Sequence, residues 1–249
     1  RAARQKSRAL LVMTNNINST MAREADGVFD THAGPEIGVA ATKTFVAQMA
    51  GLMLFALSMG QIKNGSGRDE DLTLIRELQR IPHRMEEVLG EAKAVEELAR
   101  RSLSCKDYLY LGRWVNFPVA LEGALKLKEI SYTHAEGYAG GEMKHGPIAL
   151  IDEGMTTLAI VPRDRVHERM LGNIAEVRAR GGRTLAVAFK NDPDVRPVVD
   201  EVLPIPEVHQ LLTPFLTVLP LQLFAYYSAA AKGLDVDQPR NLAKSVTVE

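Results

Sequence analysis

Three places in the chain combine residue types that can move protons or form bonds to carbon. In the stretch 118–132, Glu122, Lys126 and Glu129 recur at spacings that put all three on one face of a helix, while Lys128 points elsewhere. Two readings stand side by side. One is a solvated face laced by an ordinary ion pair. The other is a carboxylate and an ammonium held together on a rigid element for proton transfer, with Glu129 as the base and the neighbouring charge tuning it. Downstream, Ala139-Gly140-Gly141-Glu142 leads into Lys144-His145-Gly146-Pro147, where glycine and proline lock a histidine in place. An imidazole gives and takes protons near neutrality, although a structural histidine in a turn has the same look. Thirdly, the tail 235–249 carries Lys244 between small neighbours, with Leu242, Val246 and Val248 as apolar anchors. A lysine in a partly desolvated pocket can attack a carbonyl as the free amine; a surface lysine is the alternative.

Such groups need a scaffold, and the patterning supplies one. Short β-rich runs bounded by turn residues fall at 9–13, 27–30, 108–111, 157–161, 184–189 and 202–205. Helical patterns lie between them at 42–62, 69–89, 92–103, 118–132, 166–180 and 211–232. Strands of Val, Leu and Ile alternating with amphipathic helices indicate βαβ units, hence an α/β fold with parallel sheets covered on both faces. The stretch 64–103 has no strand candidate and is dense in charge, which reads as a helical bridge between two α/β units. The second unit has four strand candidates and the first only two, so the first is expected to lack its beginning.

Composition narrows the partners. Among 249 residues, 30 are basic and 31 acidic, for a net charge of -1. That balance argues against a nucleic-acid surface or a polybasic membrane anchor. One cysteine, Cys105, excludes an internal disulfide and suits a reducing, cytoplasmic compartment. The uncharged runs 44–62 and 210–231 are long enough to span a bilayer. Their internal Gln, Gly and Pro residues and the lack of an aromatic belt with a basic flank favour buried helices instead. No His-Glu-x-x-His pattern and no carboxylate cluster at ligand spacing occurs, so no metal is expected.

The segments Ala120-Leu121-Glu122-Gly123-Ala124-Leu125-Lys126-Leu127-Lys128-Glu129-Ile130-Ser131-Tyr132, His134-Ala135-Glu136 and Gly141-Glu142-Met143-Lys144-His145-Gly146-Pro147, with the tail 239–249, closely resemble the isomerase half of the glucosamine-6-phosphate synthase family. Gly34-Pro35-Glu36-Ile37-Gly38-Val39-Ala40-Ala41-Thr42-Lys43 resembles the segment of that family that passes close to the sugar. The resemblance runs in order along nearly the whole chain. It implies two flavodoxin-like sugar isomerase (SIS) domains, the first truncated at its N-terminus. The expected division is 1–66 for the end of the first domain, 67–104 for the helical bridge, 105–232 for the second domain and 233–249 for a catalytic tail.

By this resemblance, Glu129 shuttles a proton between C1 and C2 as fructosamine 6-phosphate becomes glucosamine 6-phosphate, and Lys126 assists it. His145 opens the sugar ring, reaching the site from the neighbouring subunit of a homodimer. Lys244 forms a Schiff base with C2 of fructose 6-phosphate, Val39 and Ala40 contact the sugar through their backbone, and Ala243 belongs to the substrate-binding set. The resemblance implies no cofactor and no metal, and it implies ammonia delivered by a glutaminase domain that this chain does not contain. Two departures accompany it. Residue 1 is Arg, not the family's nucleophilic cysteine, and no Ser-x-Ser-Gly-x-Thr-like phosphate loop occurs, so weak binding of fructose 6-phosphate by this chain is expected. The rival readings are a non-catalytic SIS sugar-phosphate sensor and an SIS enzyme that degrades fructosamine phosphates.

Overall fold

The computed structural model describes residues 2–65 and 68–244. The expected domain boundary at 66/67 and the end of the tail, with Val246 and Val248, lie outside the described residues. The chain forms two compact units, which divide between Thr73 and Leu74.

The first unit contains α1 (Ala2–Lys6), β1 (Leu11–Thr14), α2 (Thr20–Glu24), β2 (Gly27–Asp30) and α3 (Lys43–Asn64). Strands β1 and β2 pair in parallel, Leu11 opposite Gly27 through Thr14 opposite Asp30. Helix α3 approaches them closely at Gly51, where a Cβ would stand 2.9 Å from the Met13 methyl and 3.0 Å from the Phe29 ring. The loop before α3 is held by Glu36: its carboxylate accepts the Thr42 backbone N–H at 2.7 Å and the Thr42 and Thr44 hydroxyls. A carboxylate at a helix N-terminus satisfies orphan donors and opposes the helix dipole.

The expectation of apolar helices buried inside a large fold or an oligomer is not met within this chain for α3. Only 6% of its apolar window is buried, and Leu52, Leu54, Phe55, Met59 and Ile62 are exposed. Within the first unit, a two-stranded sheet covers one side of a helix that is apolar all round.

Helix α4 (Asp69–Gly90) starts in the first unit and leads into the second, which continues with α5 (Ala92–Arg101), β3 (Asp107–Gly112), α6 (Phe117–Ser131), β4 (His134–Ala139), β5 (Met155–Ile160), α7 (His167–Arg178), β6 (Arg183–Phe189), β7 (Glu201–Ile205) and α8 (Thr213–Ala231). The five parallel strands lie in the order β4-β3-β5-β6-β7. Counted from the first strand of this unit, that is the flavodoxin-like order. The central strands read as near-continuous apolar runs because both faces are covered: Tyr108 to Leu111, Leu158 to Ile160 and Leu185 to Phe189 are all buried. Helix α8 is the second expected buried helix; 67% of its window is buried, and it packs against α5 and α6.

The second unit has five strands, not the expected four. The additional strand, β4, reads His-Ala-Glu-Gly-Tyr-Ala and contains no β-branched residue, so propensity gave no signal. As an edge strand it hydrogen-bonds only to β3, with Asp107 opposite His134 and Gly112 opposite Ala139. It is fixed from above by α6. A Cβ on Gly137 would meet the Leu121 Cα at 2.8 Å, so only glycine lets that helix lie so close. Gly123 plays the same part on the helix, where a Cβ would lie 2.5 Å from Leu221 Cδ1 of α8.

Candidate active site

Helix α6 begins with Pro118 in its first turn, where a missing N–H costs nothing. It runs from the carboxyl end of β3 back to the amino end of β4. Its last turns therefore deliver Lys126 and Glu129 to the amino edge of the sheet. Lys126 is buried, with 5% of its side chain exposed, and its Nζ donates to Glu129 Oε2 at 2.5 Å. Glu122 completes the group, with Oε1 at 3.6 Å from the same Nζ. That oxygen is buried and makes no hydrogen bond among the described residues. Burial pushes the Glu122 carboxyl above its usual range, the Lys126 charge pulls it back, and the Glu129 charge adds to the upward push. The ordinary solvated ion pair that spacing left open is not what this geometry presents, because the cation is enclosed. Lys128 stays exposed, off that face, at the rim of the adjoining cavity.

The cavity of about 480 Å³ is lined by Lys128, Glu129, Tyr132, Thr133, His134, Arg240, Asn241 and Leu242. Chain segments far apart in sequence meet here because α6 and α8 both run back from the carboxyl edge of the sheet to its amino edge. After α8, the Asp235 carboxylate accepts the backbone N–H groups of Asp237 and Gln238 and turns the chain. Pro239 is buried. The Arg240 N–H then donates to the Tyr132 hydroxyl at 2.7 Å, and its guanidinium lies 4.3 Å from the centre of the Tyr132 ring. Tyr132 sits in the left-handed region, with φ 56°, as it ends α6 and points its ring at the tail. The sequence assigns no role to Tyr132 or Arg240; an aromatic residue closing a helix, with an arginine four residues before the lysine in the tail, is the available signal.

The other site residues stand elsewhere. Ala243 and Lys244 directly follow the cavity-lining Leu242 and are exposed. Val39 and Ala40 are half-buried in the loop before α3, in the first unit. His145 is exposed in a 3₁₀ turn, Met143–His145, anchored by the buried Met143. Gly146 follows at φ 143°, a conformation that favours glycine and so fixes the turn. This turn comes after β4, whereas Glu129 comes before it. The six residues of β4, about 20 Å of extended backbone, thus lie between the two along the chain.

The sequence profile of the SIS domain matches residues 1–58 and 103–232. The glutamine–fructose-6-phosphate aminotransferase (isomerizing) of Aquifex aeolicus is 53% identical over 248 residues, 100% of this chain and 40% of that protein. Its counterpart in Thermus thermophilus is 48% identical over 249 residues, again all of this chain and 41% of the relative. Among solved structures, the C-terminal domain of glucosamine-fructose-6-phosphate aminotransferase from Francisella tularensis superimposes with a TM-score of 0.91 at 37% identity, covering 95% of this chain and 67% of that one. The chain thus spans about two-fifths of the length of these two relatives, and it belongs to the SIS domain family.

Proposed function

We propose that the chain carries the sugar-isomerising chemistry of an enzyme that makes glucosamine 6-phosphate from fructose 6-phosphate and ammonia. The observation that carries this reading is the enclosed Lys126–Glu129 pair, at 2.5 Å, opening on a cavity whose other wall is the tail that leads to Lys244. A carboxylate fixed by a buried cation on a helix is a positioned proton carrier. A lysine at the end of a pinned tail is a positioned amine.

In this reading, the Lys244 amine adds to the C2 carbonyl of the open-chain ketose and water leaves, forming an imine. Ammonia displaces the lysine by transimination. The imine makes the C1–H bond more acidic; Glu129 removes that proton and returns it to C2 while the C1 hydroxyl proton passes to the nitrogen, which leaves an aldehyde at C1 and an amine at C2 with no net oxidation. Lys126 orients the Glu129 carboxylate and answers its charge. Val39, Ala40 and Ala243 would contact the sugar. His145 would open the sugar ring, and its place at the far end of β4 from Glu129 supports a site completed by a second copy of the chain, hence a homodimer. The ammonia would come from a glutaminase domain, and the cytoplasm, with its sugar phosphates, is the proposed location.

The test is made in the full-length enzyme containing this chain. Glu129→Gln should leave fructose 6-phosphate binding intact and abolish glucosamine 6-phosphate formation. Borohydride added with fructose 6-phosphate should leave a covalent adduct on Lys244. Undiminished turnover by Glu129→Gln, or an adduct mapped to another lysine, would overturn the assignment.

A further inference from the structure

We propose that His167, Asp192 and Asp194 form a divalent transition-metal site at the carboxyl edge of the second unit's sheet, between the loops that follow β5 and β6. His167 opens α7 and is buried, with 5% of its side chain exposed. Its Nδ1 lies 3.2 Å from the Pro162 carbonyl oxygen, which can only accept, so Nδ1 is the donor there and Nε2 is the atom left to face Asp192. Asp192, with 1% of its side chain exposed, turns Oδ2 toward that nitrogen at 3.8 Å. Neither Nε2 nor Oδ2 has a hydrogen-bond partner among the described residues, and both are shut off from solvent. A buried carboxylate oxygen facing a ring nitrogen beyond hydrogen-bond distance calls for something positive between them.

The separation suits a metal ion. Zinc bonds to imidazole nitrogen and carboxylate oxygen run about 2.0–2.2 Å, so one ion touches both atoms at an angle near 130°. Asp194 supplies a third oxygen, since one ligand atom from each of the three residues falls within 4.8 Å of the others. The outer partners are those of a ligand set. Pro162 orients the imidazole, while Arg163 donates to Asp192 Oδ1 at 3.1 Å and to Asp194 Oδ2, which holds the two carboxylates side by side. The Asp194 N–H also donates to Asp192 Oδ1 at 3.0 Å. Asp192 also lines a cavity of about 530 Å³ with Lys190, Asn191, Pro193, Arg196 and Pro197. An imidazole with carboxylates selects zinc or manganese over magnesium or calcium.

Sequence spacing gave no hint of this group, because its residues lie on two loops that only the parallel pairing of β5 with β6 brings together. The site is at the opposite edge of the sheet from Glu129, so its role is to tie the two loops together and it does not depend on the proposed catalysis.

The experiment is calorimetric titration of the EDTA-stripped, dialysed chain with Zn²⁺, and separately with Mn²⁺, with Mg²⁺ as the control. One ion of Zn²⁺ or Mn²⁺ should bind per chain with a dissociation constant in the micromolar range or below, and should raise the melting temperature in a chelator-reversible way. His167→Gln and Asp192→Asn should each weaken binding at least tenfold. Because both positions are buried, Asp194→Asn, at an exposed position, provides the variant that keeps the fold, and it should weaken binding severalfold. Absence of saturable Zn²⁺ or Mn²⁺ binding below millimolar concentration overturns the proposal, as does affinity unchanged in Asp194→Asn. A nitrogen NMR signature of doubly protonated His167 at pH 7 in chain that binds no metal would show a proton occupying the gap instead.

Discussion

Replacing Lys126 with Met keeps the apolar stem that packs inside α6 and removes only the ammonium. Glu122 and Glu129 would then face each other with 11% and 22% of their side chains exposed and no cation between them. Removing one partner of a buried ion pair costs about 3–5 kcal/mol, because the charge left behind is uncompensated. Glu129 keeps some contact with water, which places the expectation near the lower end, at about 3 kcal/mol.

The loss must depend on pH. The Glu122 carboxyl is already raised from 4.5 by burial, with Lys126 opposing the rise. Without Lys126 it should rise further. A carboxyl whose folded value lies above its unfolded one penalises the fold where it is ionised, so the deficit is full above the folded value and vanishes as pH falls below about 4.5. Urea unfolding of wild type and Lys126→Met, followed by the fluorescence of Trp114, reports on the second unit alone, since Trp114 is the chain's one tryptophan. Measured at pH 7 and again at pH 5, the difference should shrink on acidification. A loss under 1 kcal/mol at pH 7, or one that does not change with pH, would refute the claim that this cation holds two buried carboxylates.

Three further outcomes follow from the same geometry. Glu122→Gln should change stability by less than about 1 kcal/mol at pH 7 in the same urea assay, because it removes a desolvated charge while Lys126 keeps Glu129. Gly123→Ala should lower stability by about 1–3 kcal/mol in calorimetry, as its Cβ would fall 2.5 Å from Leu221 Cδ1 and 3.0 Å from the Tyr110 ring. Tyr132→Phe keeps the ring under Arg240 but removes the acceptor of the Arg240 N–H, a bond worth about 0.5–1.5 kcal/mol. Hydrogen exchange at that amide should accelerate by up to about tenfold.

How far the sequence reaches depends on whether a feature lives within one element or between several. The Glu122–Lys126–Glu129 face is a matter of helical period, and it was legible. The central strands were legible too, because burial on both faces demands unbroken apolar runs. Strand β4 was not, since its place depends on Gly137 fitting beneath Leu121 and not on its own propensity. The exposure of α3 was hidden for a related reason: an all-round apolar helix states that it wants cover, not how much the neighbouring strands provide. Tyr132 meeting Arg240, and His167 meeting Asp192, are products of chain direction and strand order, which no local spacing encodes.

The tail's attachment gives α8 a further character. The helix starts at the carboxyl edge of the sheet and ends at the amino edge, and nine residues beyond its end the Arg240 N–H must find Tyr132. Each residue in a helix advances the chain by about 1.5 Å and turns it by about 100°. A single insertion or deletion inside Thr213–Ala231 would therefore rotate the tail away from the Tyr132 ring. The same change in the loop ahead of the helix would be absorbed. Helix α8 is in this sense a measuring rod, and the count of its residues, more than their identity, decides where the end of the chain lands.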